Sequence, residues 1–174
     1  MIIMSTVAFC YFLINFQLKS VPGDLISLTI ANAVADVMGT LFSGLIYKKL
    51  GARASHILMS ALAATGSIVL LFVWNDNNPR IILLCILLSK FGSAAVFNNC
   101  FIDMVVLSPT ILTPTFFGLI NVFARMFASM SSIFAEVDHT TSLSISVSFS
   151  LVQIIASIFL VTKMPRFIWT RKKD

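Results

Sequence analysis

The chain of 174 residues is 58% hydrophobic and 11% charged with a formal net charge of +5, and its mean hydropathy is +0.97. Soluble domains carry roughly 25% charged residues, so this composition excludes an ordinary soluble domain and requires apolar surface to face lipid. Basic excess can mark nucleic-acid binding, but in membrane chains it gathers on the cytoplasmic side, and no nucleic-acid partner is expected.

A helix rises about 1.5 Å per residue and the hydrocarbon core is about 30 Å thick, so one span needs roughly 20 residues. Apolar runs between prolines, glycines and charged clusters predict six spans, over 2–18, 25–47, 54–74, 81–106, 114–135 and 143–161. The expected architecture is an all-α, polytopic membrane bundle over 1–162 followed by a basic cytoplasmic tail over 163–174. Only short turns join the spans, which leaves no room for a soluble catalytic domain.

The first run lacks a basic start and a small-residue cleavage site before Pro22, so it reads as a span rather than a signal peptide. Phe9, Phe12 and Phe16 recur in it at intervals of three and four and share a face. That face either meets lipid or, with Asn15 and Gln17 as polar anchors, walls a site for an organic ion. The second span carries Asp36 and a small-residue face of Gly39, Ser43 and Gly44, and the third a similar face of Ala61, Ala64 and Ser67. Small residues let helix backbones approach closely, so packing is their simplest role. Lys48, Lys49 and Arg53 mark the turn between these two spans, and Pro109 and Pro114 flank the turn between the fourth and fifth.

If both termini are cytoplasmic, Lys48, Lys49, Arg53, Lys163, Arg166, Arg171, Lys172 and Lys173 lie inside, against Lys19 and Arg80 outside. Eight against two is the asymmetry expected of that orientation. Trp74 and Trp169 then fall near the interfaces. Inside the spans remain Asp36, Lys90, Asp103 and Arg125, whose charges cancel. An ion at mid-membrane costs about 3 kcal/mol on insertion scales, so each such residue needs a partner or lines a path for solute or ions. Asp36 and Arg125 are read as deepest; Lys90 and Asp103 as nearer the span ends, in packing or interfacial roles.

No enzyme is expected. His56 and His139 fall at opposite membrane faces, and H-E-x-x-H, P-loop and G-x-S-x-G patterns are absent. Cys10, Cys85 and Cys100 lie in apolar runs without C-x-x-C spacing and read as small core residues, so neither a metal nor a cofactor is expected.

Asp36 leads, after an interval, to Leu50, Gly51, Ala52 and Arg53. The fourth span runs from Ser89 and Lys90 through Ala94 and Ala95 to Phe97 and Asn98 and ends in Pro109 and Thr110, and the fifth contains Ala124 and Arg125. In this order and spacing the chain resembles the carboxy-terminal half of the organic cation and anion transporters of the major facilitator superfamily. The likeness covers nearly its whole length and is strongest from Asp36 to Arg125. That family carries an Asp in its eighth helix before a Leu-Gly-Arg-Arg turn, then a Gly-Lys start, a Phe-Asn pair and a Pro-Thr end in its tenth. Its anion branch has Ala-Arg in the next helix. The chain departs from the pattern where Ala52 replaces the first Arg of the turn, and where Lys48, Val106 and Thr113 stand for an Asp, a Glu and an Arg of the family's cytoplasmic gate. Thr40 stands near the place of a basic residue of the anion branch.

The resemblance implies alternating access, with two six-helix halves rocking about a central site for a small organic ion. The chain would supply one half, paired in the lipid bilayer with an amino-terminal six-helix half or a second copy. Arg125 would anchor an anionic or zwitterionic solute, Phe9, Phe12 and Phe16 with Asn15 would wall the site, and Asp36 would balance its charge. Lys48, Lys49, Arg53, Lys90 and Asp103 would form a cytoplasmic charge network, with Asp103 reaching the basic turn. The competing reading is a non-transporting scaffold or inactive fragment, which the lost gate charges suit. A channel ranks lower because no ring of like charges appears.

Overall fold

Helices in this chain end where glycine, proline or polar clusters interrupt the apolar runs. The computed structural model describes residues 2–18, 25–73, 79–107, 112–136 and 139–159, and among them six helices follow one another. They are α1 (Ile2–Gln17), α2 (Leu25–Leu50), α3 (Ala52–Val73), α4 (Pro79–Leu107), α5 (Thr113–Ala135) and α6 (His139–Ile158). The basic tail over 163–174, Trp74, Trp169, Lys19 and Pro109 lie outside the described residues.

The protein is an all-α, multi-pass integral membrane protein: α2 to α6 are each long and apolar enough to cross a bilayer. α1 is shorter, its 16 residues covering about 24 Å. It compensates by burial, since Met4, Val7, Ala8, Phe9, Leu13 and Ile14 are all enclosed by other helices. The predicted turn over 48–53 contracts to one residue: Lys48 and Lys49 are the last turn of α2, Arg53 the first of α3, and Gly51 alone breaks the helix. Gly51 holds φ +83°, and its N–H donates to the Tyr47 carbonyl at 3.0 Å. That left-handed cap penalises any residue with a β-carbon, which is why the break falls there. Pro79 and Pro114 stand in the first turns of α4 and α5, where their missing N–H groups leave no bond unmade.

The helices pack in a repeating pattern. α3 runs along α4, α1 along α5, α2 along α4, and α6 against α1 and α3, whereas α4 and α5 touch little. Exchanging α1–α3 for α4–α6 maps this arrangement onto itself: the α1–α5 contact answers to α4–α2, and α3–α4 to α6–α1. Successive spans alternate in direction, so units of three helices run oppositely through the bilayer. The order of helix contacts is that expected of an inverted repeat.

Close approach carries the α3–α4 seam. A β-carbon on Gly92 would lie 2.6 Å from the Ala63 nitrogen, and one on Gly66 2.7 Å from the Ser89 nitrogen. Ser67 and Ser89 share a hydrogen bond of 2.8 Å across the seam, and the Ser89 hydroxyl also donates to the Ala63 carbonyl at 3.2 Å. Gly39 seats α2 on α4 the same way, since a β-carbon there would lie 2.8 Å from the Phe91 carbonyl oxygen. Of the expected small faces, Ser43, Ala64 and Ser67 are buried, while Gly44 meets no neighbour. Cys10, Cys85 and Cys100 are buried free thiols, as read from the sequence. Outward, α2 presents Ile26, Ile30, Val34, Val37, Leu41 and Leu45, and α5 presents Leu119, Val122, Met126, Met130 and Ile133. Steps of three and four make each a continuous apolar stripe for lipid or a partner bundle.

Candidate functional site

Two polar clusters and one cavity are organised around α4. α1, α4 and α5 part to leave an open cavity of about 610 Å³. Phe12 and Phe16 of α1, Phe97 and Phe101 of α4, and Asn121, Arg125, Ser129 and Ser132 of α5 line it. The rings of Phe97 and Phe101 meet edge to face at 5.0 Å, so the aromatic wall is preassembled. Arg125 lies 12 residues into α5, about 18 Å along the helix, and thus near mid-membrane. It forms no ion pair with any described residue.

The first cluster joins α1, α2 and α4. The Lys90 ammonium donates to Asn15 Oδ1 at 2.8 Å and stands 3.6 Å from Asp36 Oδ1. It also lies 3.1 Å from the centre of the Tyr11 ring, in cation–π contact. Tyr11 donates its hydroxyl to Asp36 Oδ2 at 2.8 Å, and Asn32 donates to Asn15 Oδ1 at 3.1 Å. The Tyr11 ring stacks on Phe97 at 5.6 Å, which connects this cluster to the cavity wall. Asp36 and Arg125 hold comparable depths in α2 and α5, helices that the repeat exchanges, and carry opposite charge.

The second cluster sits where α2 and α4 end and α3 begins. Asp103 accepts a hydrogen bond from the Tyr47 hydroxyl at 2.6 Å, and His56 Nε2 lies 2.6 Å from its other oxygen. At that distance the imidazole and the carboxyl group share one hydrogen bond. Its Nδ1 is buried without a hydrogen-bond partner. Beside the pair, Asn99 donates to Ser55 at 2.8 Å.

Several expectations are corrected here. Phe9 does not join Phe12 and Phe16 on the cavity: its ring stacks on Phe149 at 4.5 Å and meets Phe134 edge-on, buried between α1, α5 and α6. A shared helical face does not decide which neighbour covers each ring. Asn15 belongs to the Lys90 cluster rather than to the cavity, and Gln17 donates to Ser142 of α6. Lys90 is neither near the interface nor part of a network with Lys48, Lys49 and Arg53. It lies 11 residues into α4, fully buried, because Asp36, Asn15 and Tyr11 together compensate an ion at that depth. Asp103 is held by Tyr47 and His56 instead of the basic turn.

His56 is the member of the second cluster that the sequence does not single out. The signal was available in the hairpin: an antiparallel α3–α4 pair brings the start of one helix beside the end of the other. Asn121, Ser129 and Ser132 were also missed, as polar residues one and two turns from Arg125 on the same face of α5. No known family model matches the chain.

Proposed function

We propose that this chain supplies one half of an alternating-access transporter for small organic ions, of the major facilitator kind, with the α1–α4–α5 cavity as its part of the solute site. The carrying observation is Arg125, a permanent cation near mid-membrane on an open cavity, without a carboxylate partner among the described residues. Such a residue facing lipid would be costly, so the open side of the cavity is covered in the membrane by protein. A second six-helix bundle, either an amino-terminal half or another copy, closes the cavity and leaves Arg125 as the counter-charge for an anionic or zwitterionic solute. Phe12, Phe16, Phe97 and Phe101 provide ring faces for its apolar body. The contact order expected of an inverted repeat supports this reading, because folds built this way place their solute site at mid-bilayer and move by rocking.

Uptake of radiolabelled benzoate and related aromatic carboxylates into cells expressing the chain tests it. Saturable uptake that Arg125→Ala abolishes supports the anchor; uptake that persists in the variant refutes it.

One observation favours the scaffold reading. Asp103, the acid expected at an interlocking gate, is engaged by Tyr47 and His56 within the bundle instead. Stable co-purification with another membrane protein and no solute-dependent thermal shift decide for the scaffold.

A further inference from the structure

We propose that Tyr11, Asn15, Asn32 and Asp36 form a monovalent-cation site whose resident cation is the chain's own Lys90 ammonium. The chain thereby compensates the Asp36 charge without a metal ion, and a neutral residue at position 90 turns the site into one for sodium or a close relative. This inference is independent of whether the bundle transports anything.

The geometry is that of a cage rather than of a simple ion pair. Three helices supply it: Tyr11 and Asn15 from α1, Asn32 and Asp36 from α2, and the ammonium from α4. The Lys90 side chain has no exposure, whereas that of Asp36 keeps 27%, so the acid side of the cage is reachable from outside while the ammonium is enclosed. Hard cations are held by carboxylate and amide carbonyl oxygens, the donor set present here. An ammonium has three N–H bonds to place. Only Asn15 Oδ1 receives one at hydrogen-bond distance, Asp36 Oδ1 being 3.6 Å away and the remaining side of the ammonium resting on the Tyr11 ring.

Oxygen is left over. Asp36 Oδ1 and Asn32 Oδ1 are both buried with no hydrogen-bond partner. Directional donors on a tether leave such atoms unserved, and a buried unserved acceptor is a standing cost. A spherical ion has no such restriction and can draw in Asp36 Oδ1 together with Asn15 Oδ1.

Charge sets the valence. The cage holds one carboxylate, and Lys90 contributes one positive charge against it, so a divalent ion would leave an excess buried charge. Among the described residues, the titratable and charged groups facing Asp36 are Tyr11 from α1 and Lys90 from α4; Asp103 and His56 occupy the separate cluster at the far end of α4.

The test compares the purified full chain with Lys90→Met and with Lys90→Met/Asp36→Asn. Thermal unfolding midpoints are read in sodium, lithium, potassium and choline chloride at equal concentration. The expected result is a wild type indifferent to the salt and a Lys90→Met variant with a low midpoint in choline. In sodium or lithium the midpoint of that variant rises with the logarithm of cation concentration, as binding to the folded state demands. The double variant, lacking the carboxylate, loses the response. Cation-specific stabilisation of the wild type overturns the proposal. So does a folded Lys90→Met indifferent to all the cations, or one rescued by acid alone, since then a proton replaces the ammonium. Lys90→Gln takes the place of the apolar variant should that one not fold. Failure of both single variants in every salt, with the neutral double variant folded, also overturns it.

Discussion

The α3–α4 seam and the α1–α5 side of the cavity are built from the same alphabet of small, apolar and hydroxyl residues and reach opposite ends. Along the seam, glycines face backbone and hydroxyls bond across the helices, so the two helices pack tightly together. Around the cavity, α5 bonds Asn121, Ser129 and Ser132 back to its own carbonyls, at 2.8 to 3.1 Å, and leaves space in front of them. Hydroxyls that satisfy their own helix need no neighbour, which lets a polar surface remain unpartnered inside a membrane bundle. Tight packing on one side and space on the other is the division that the proposed rocking half would use.

Breaking the closed side is expected to give the largest effects. His56→Leu leaves Asp103 buried with Tyr47 as its remaining hydrogen-bond partner, and losing a hydrogen bond to a buried carboxylate costs about 1.5–3 kcal/mol. Unfolding of the purified protein in denaturant measures this, and Tyr47→Phe, which removes a single hydroxyl, should lose about a third as much.

Next in size comes a contrast between glycines. Gly92→Ala drives a methyl group toward the Ala63 backbone, which cannot move aside as a flexible side chain would, and overpacking of this kind costs about 1–3 kcal/mol. Gly118→Ala on α5 meets nothing within 4 Å, and the better helix former should stabilise the protein by up to about 1 kcal/mol. Opposite signs in the two thermal midpoints sharpen the comparison; equal losses would break it. Ser67→Ala is a milder probe of the same seam, removing the 2.8 Å bond to Ser89 for about 0.6 kcal/mol, the average of such bonds between membrane helices.

The elements of the fold were legible because hydropathy reports burial in lipid directly. α5, predicted over 114–135, runs over Thr113–Ala135, and α1, predicted over 2–18, ends at Gln17. Where the reading missed, a partner from a distant element decided the outcome. Nothing local to Lys90 reveals that Asp36 and Asn15, 54 and 75 residues away in sequence, enclose it. Phe9, Phe12 and Phe16 share a helical face, but Phe149 of α6 captures the first of them and α5 draws back from the other two. Arg125 was legible for the opposite reason: a charge in an apolar run of α5 announces itself whether or not a partner is found.

The smallest expected stability change belongs to the residue with the largest functional one. Arg125 is exposed to the cavity and makes no ion pair with any described residue, so Arg125→Gln removes no buried partner from another group. Substitutions at such positions normally stay within about 0.5 kcal/mol, and the unfolding midpoint in detergent should barely move. If the cavity holds an anionic solute, an aromatic carboxylate should raise the midpoint of the wild type and leave that of Arg125→Gln unchanged, because the guanidinium provides the bidentate recognition of the carboxylate. A strong loss of stability in the variant without any solute would instead assign Arg125 a structural partner, and the division between a tightly packed seam and an open, polar cavity would no longer hold.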